Sequence, residues 1–121
     1  MSPLLLGGIG LLGGLGALAR FLLDGAVAGR AAASFPVGTL AVNLSGAFAL
    51  GILVGATTDE NALQLAGTGM LGAYTTFSTW ALESHRLGED GELRLAAANF
   101  GVSLAAGVAL AWIGTKLGGV L

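Results

Sequence analysis

The stretch Leu71-Gly72-Ala73-Tyr74-Thr75-Thr76-Phe77-Ser78-Thr79-Trp80 lies inside an uncharged run, residues 61–82. That run matches the roughly 20 residues an α-helix needs to cross a bilayer. Its middle nevertheless holds four hydroxyl side chains, Thr75, Thr76, Ser78 and Thr79, behind Gly72. A plain lipid-facing span has no use for them. Such hydroxyls bond nearby carbonyls and loosen a helix, and glycine adds little helical preference. Irregular backbone at membrane depth persists only where protein buries it or it lines a cavity. The stretch therefore reads as a helix broken mid-membrane, whose freed backbone groups handle an ion. The competing reading is a kinked span whose hydroxyls join neighbouring helices.

Working outward, the remaining chain is of the same kind. Three further uncharged runs cover residues 1–19, 31–58 and 95–115, each at or beyond the roughly 18 residues that suggest a span. Charged residues are 10% of the 121 positions and mean hydropathy is +0.85, whereas a soluble domain carries about 25% charged residues. These features predict an all-α integral membrane protein of one domain, residues 1–121, with four transmembrane helices near 3–23, 36–56, 61–86 and 93–117. A net charge of -2 offers no basic face for nucleic acid. The absence of cysteine excludes thiolate chemistry and iron–sulfur ligation, and the lone His85 cannot build a histidine-rich metal site.

The first run reads as a span rather than a cleaved leader, because no basic residue precedes its apolar core. Gly8, Gly10 and Gly13 match G-x-G-x-x-G, but no strand precedes them as a dinucleotide fold requires. Gly10 with Gly14, and Gly13 with Ala17, read instead as small-residue pairs for close helix packing. Arg20 either snorkels to the interface or attracts anions at a pore vestibule. Residues 24–30 are expected to form a short polar connection, and Pro36 suits the first turn of the second helix. Thr39, Asn43 and Gly46 share one face there. Asn43 either bonds a neighbouring helix or offers N–H donors to an anion. Residues 57–61 form a turn, Glu83 stands one turn beyond Thr79, and residues 87–92 form the longest polar loop. Asn99, Ser103 and Gly107 repeat the polar stripe in the last helix, which closes with interfacial Trp112 and Lys116.

Within the uncharged runs there is no Asp, Glu or Lys, so the ionisable group that a proton-coupled carrier keeps in the membrane is missing. What remains is neutral: Asn43, Asn99, Ser103 and the hydroxyls of the third helix. Phe77 and Trp80 lie three apart beside them, and aromatic ring edges carry positive partial charge. Neutral donors with aromatic edges suit a small, strongly hydrated anion. No catalytic triad or zinc motif is recognisable, so the chain does not read as an enzyme.

Three segments carry a resemblance. They are Gly13-Gly14-Leu15-Gly16-Ala17-Leu18-Ala19-Arg20, Phe35-Pro36-Val37-Gly38-Thr39-Leu40-Ala41-Val42-Asn43, and the stretch from Gly69 through Thr79 to Glu83. On these the chain resembles the Fluc/CrcB family of bacterial fluoride channels. The resemblance implies passive, selective fluoride conduction through a multi-pass protein of the bacterial cytoplasmic (inner) membrane. It implies an antiparallel, dual-topology dimer with two pores. It also implies a structural sodium ion (Na+) at the dimer interface, held by the backbone carbonyls of Gly72 and Thr75. The implied fluoride pore comprises Asn43, Phe77, Ser78, Thr79, Trp80 and Ser103, with Glu83 and Arg20 toward its mouths. Two departures stand out: phenylalanine is usual where Trp80 stands, and tyrosine is common where Asn99 stands.

Arg20, Arg30, Arg86 and Arg94 flank one side of the expected spans, against Lys116 and the terminal amine on the other. By the positive-inside rule this bias favours one orientation, so the partner is either a second copy or an oppositely oriented homologue. Two other readings remain. A small multidrug-resistance-type proton-coupled exporter would share the four-helix dimer plan but lacks the carboxylate in its first helix, leaving Glu83 to stand in. A small assembly subunit of a larger complex is the other.

Overall fold

The computed structural model describes residues 1–30 and 35–121; the first four residues of the second uncharged run lie outside the described residues. The described elements are helical. Helix α1 is Pro3–Arg30 and α2 is Val37–Ala56. Helix α3 covers 60–74 in three parts: an α turn at Glu60–Ala62, π-helical backbone over Leu63–Leu71, and an α turn at Gly72–Tyr74. Helix α4 is Ser78–Glu89 and α5 is Leu93–Gly118. Helices α1, α2 and α5 are each long and apolar enough to cross a membrane. The surface agrees with a membrane protein: Leu4, Leu11 and Phe21 of α1 are 88%, 70% and 75% exposed. Polar residues are as well buried as apolar ones, with Thr39 and Asn99 beside Val42 and Trp80.

Local chemistry sets the helix starts. Ser2 Oγ accepts from Leu5 N–H at 3.1 Å while Pro3 takes the first helical position, where a missing N–H costs nothing. Pro36 precedes α2 rather than opening it, and its carbonyl accepts from Leu40 N–H. Asp59 Oδ2 caps α3 through Ala62 N–H at 2.9 Å. The expected polar connection over 24–30 is helical instead, so α1 passes its expected end at residue 23. Ala26, Val27 and Ala28 extend the apolar run there, and no proline interrupts it. The polar loop expected at 87–92 is shorter too, because α4 continues to Glu89. The turn that remains contains Gly91 at φ 80, a left-handed conformation open to glycine.

Packing is by bare backbone. A Cβ on Gly51 or Gly55 of α2 would strike the carbonyls of Ala111 or Thr115 in α5. Reciprocally, a Cβ on Gly114 or Gly118 would strike those of Phe48 or Ile52. Two small-xxx-small pairs therefore face each other, the arrangement that brings membrane helices closest. The pairs expected in α1 behave differently. Gly10 and Gly14 meet nothing within 4 Å; Gly13 lies against the Gly69 carbonyl, and Gly16 against that of Met70. Helix α1 thus packs on the π-helical part of α3, glycine to backbone.

Candidate functional site

The site is built where α3 stops. Thr75 turns extended, at ψ 160, and helical geometry resumes at Ser78. Asn43, midway along α2, fills the gap. Its Nδ2–H donates to the Thr76 carbonyl and its Oδ1 accepts from Thr76 N–H, both at 2.8 Å. A side-chain amide thus replaces the backbone partners that a continuous helix would have given Thr76. Thr75 Oγ1 folds back to the Leu71 carbonyl at 3.1 Å. Thr76 Oγ1 accepts from Thr79 N–H at 3.2 Å and donates to Thr79 Oγ1 at 3.1 Å, so Thr76 serves as the side-chain cap of α4. Gly46, one turn beyond Asn43, leaves room for the Thr75 methyl group and the Tyr74 ring. The interruption also frees acceptors. Among the described residues no N–H or O–H donates to the carbonyls of Gly72 or Thr75.

A groove of about 360 Å³ runs past the break, lined among others by Asn43, Gly72, Thr76, Phe77, Trp80 and Ser103. Its polar groups are neutral. Ser103 Oγ is buried with no hydrogen-bond partner. Phe77 is 72% exposed and meets Trp80 edge-on, ring centres 5.2 Å apart at 76°. Trp80 itself is 6% exposed, and its indole Nε1–H donates to the Asn99 carbonyl at 3.0 Å.

The other expected site residues fall outside that groove. Arg20 and Thr79 line a cavity of about 20 Å³ together with Asp24, Thr39 and Thr76. Both Arg20 Nε and Thr39 Oγ1 are buried there without a partner. Glu83 lines a depression of about 330 Å³ with Asp24, Arg86 and Asp90. Ser78 lies 3.5 Å from Thr76 Oγ1 and is exposed. The groove and the small cavity meet at the break, where they share Thr76, and the small cavity shares Asp24 with the depression. Two residues near the site are not evident from the sequence: Asp24, whose charge reads as loop, and Ser84, whose hydroxyl accepts from Asn99 Nδ2–H at 2.8 Å and donates to the Trp80 carbonyl at 3.0 Å.

Residues 8–115 match the family described as CrcB-like protein, Camphor Resistance (CrcB). The chain belongs to the CrcB family. Fluoride-specific ion channel FluC 2 of Mycolicibacterium paratuberculosis is 56% identical over 110 residues, covering 91% of this chain and 90% of that one. FluC 2 of Mycobacterium tuberculosis is 53% identical over 107 residues, 88% and 85% of the two chains. FluC 1 of Symbiobacterium thermophilum is 42% identical over 119 residues, 91% and 94% of the two. The CrcB match spans α2, α3 and α4 and most of α1 and α5, so it contains every residue of the groove.

Proposed function

We propose that this CrcB protein is a passive, fluoride-selective channel and not an enzyme. The observation that carries the proposal is the break at Thr75–Phe77, with neutral donors and an exposed aromatic edge collected beside it. The likeness to proteins named fluoride-specific ion channels supports it. Fluoride is small and strongly hydrated. A path for it must replace water with weak donors that release it again. Asn43 retains a second Nδ2–H beyond the one given to Thr76, and Ser103 retains its hydroxyl proton. Ser78 and Thr79 add hydroxyls, and Phe77 offers its ring edge, with Trp80 as the wall behind it. Arg20 and Glu83 stand toward the mouths.

The assembly we propose is four spans per chain, with α3 and α4 jointly forming the third, and an antiparallel dual-topology homodimer. The exposed apolar side chains of α1 would face lipid or the second copy. A hard cation takes oxygen ligands, and the carbonyls of Gly72 and Thr75 lack donors, so these residues fit a sodium ion shared with a second chain. Bound there, the ion would neutralise those carbonyls and hold the break in its open shape. In a bacterial inner membrane, an inside-negative potential drives an anion outward by about 2.3 kcal/mol per 100 mV. No observation favours the proton-coupled exporter, because no ionisable side chain lines the groove.

Efflux from proteoliposomes under a potassium–valinomycin clamp tests the proposal. Fast fluoride release with chloride retained is expected. Chloride release at a comparable rate, or no release of fluoride from a folded dimer, overturns it.

A further inference from the structure

Trp80, Ser84 and Asn99 form a closed ring of hydrogen bonds between α4 and α5. The Trp80 indole Nε1–H donates to the Asn99 carbonyl at 3.0 Å. The Asn99 Nδ2–H donates to Ser84 Oγ at 2.8 Å, and Ser84 Oγ donates to the Trp80 carbonyl at 3.0 Å. Asn99 therefore meets Trp80 at two points: its main-chain carbonyl takes the ring N–H, and its side-chain amide reaches the Trp80 backbone oxygen through Ser84. Asn99 is 1% exposed and its bond from the indole is buried, while the two bonds through Ser84 are part-buried; a polar contact left unmade at a buried position is costly.

The ring is continuous with the aromatic groups of the groove. Phe100, next to Asn99, stacks on Trp80 with centres 4.6 Å apart and planes at 26°. Trp80 in turn meets the exposed Phe77 edge-on. Phe77 sits at the foot of α4, beside the interruption, and Trp80 is its one aromatic neighbour among the described residues. An indole has an N–H that must be satisfied when buried, and the Asn99 main chain satisfies it here. The Asn99 amide adds the tie through Ser84 to the Trp80 backbone.

We propose that Asn99 is a positioning residue for ion passage, acting through Trp80 to set the orientation of Phe77. It holds the ring behind the aromatic edge and does not itself meet the ion. The inference rests on the fluoride-channel reading for its functional half only.

The test is a mutant cycle of fluoride efflux with Asn99→Ala, Ser84→Ala and the double variant. Each single change removes the bond from Asn99 Nδ2–H to Ser84 Oγ and leaves the Asn99 main-chain carbonyl in place for the indole. Asn99→Ala is expected to slow efflux about tenfold, the rate equivalent of roughly one hydrogen bond, in the Ser84 protein. In the Ser84→Ala background the same change is expected to do little. Equal slowing in both backgrounds overturns the inference, since an asparagine that does not act through Ser84 and Trp80 would be indifferent to the loss of the Ser84 hydroxyl. A second readout does not depend on flux. In a Trp112→Phe background Trp80 is the only tryptophan. Asn99→Ala, or Ser84→Ala should that variant not fold, is expected to shift Trp80 emission to longer wavelength and open it to acrylamide. Unchanged emission and quenching overturn the inference. A wild type that moves no fluoride sinks the channel reading instead, and leaves the fluorescence to decide the positioning role.

Discussion

The Asn43 amide and the Thr76 peptide group face each other as two complementary donor–acceptor pairs, each bond 2.8 Å long. Asn43 is on α2 and Thr76 is in the interruption, so one side chain from a neighbouring helix closes the opening in the backbone ladder. This makes Asn43 a structural part of the break before it is anything else.

Asn43→Ala leaves the Thr76 N–H and C=O both unpaired, at about 1–3 kcal/mol each for buried groups. The expected outcome is a lower melting temperature in detergent together with lost fluoride flux. Asn43→Asp keeps an acceptor for the N–H but sets a carboxylate oxygen against the Thr76 carbonyl. It is expected to restore part of the stability and none of the flux. Thermal unfolding and efflux on the same preparations check both, and a fully stable Asn43→Ala protein would contradict the account of the break.

Phe77 is mostly exposed, so its replacement should leave folding intact. Phe77→Ile retains apolar bulk and removes the aromatic edge. Fluoride efflux is expected to fall by at least about tenfold with dimer yield unchanged. Efflux at the wild-type rate would remove Phe77 from the ion path.

The glycine contacts separate two classes of position. Gly118→Ala puts a methyl group onto the Ile52 carbonyl, backbone that cannot swing aside. Overpacking of this kind costs about 1–3 kcal/mol. Gly10→Ala meets open space and should be neutral or slightly stabilising, because alanine is the better helix former. Comparing the unfolding midpoints of the two variants is the check; equal midpoints would refute the backbone contact between α2 and α5.

Sodium withdrawal addresses the free carbonyls of Gly72 and Thr75. Replacing sodium by N-methylglucamine is expected to lower the dimer's thermal stability and its fluoride flux together. Indifference of both would remove the ion from the proposed assembly.

Much of this was legible in the sequence. Three of the uncharged runs coincide with α1, α2 and α5, the helices long and apolar enough to cross a membrane, and the hydroxyls behind Gly72 fall where α3 gives way to α4. Other features depend on partners that the local sequence does not name. The π-helical backbone over 63–71 is a matter of which carbonyl each N–H selects, and its composition, LQLAGTGML, looks like any small-residue span. The role of each of the 22 glycines depends on the helix opposite. Gly10 and Gly14 had the spacing without a neighbour, whereas Gly51 and Gly55 had both. The buried Trp80 indole N–H needs an acceptor, and the Asn99 main-chain carbonyl that supplies it lies 19 positions away. The extension of α1 was hidden by Asp24 and Arg30, whose charges read as loop although the residues between them favour helix.

The glycine contacts bear on more than stability. Asn43 and Ser103, which both line the groove, belong to the same two helices that touch at Gly51, Gly55, Gly114 and Gly118. Where side chains separate two helices, rotamer changes let the spacing breathe; where backbone meets backbone there is no such cushion. In the proposed channel, walls joined in this way would work as a gauge of fixed width rather than as a gate. A channel built on such a gauge would discriminate by dimension at every temperature at which it stays folded. Heating should quicken passage of the favoured anion without widening the choice.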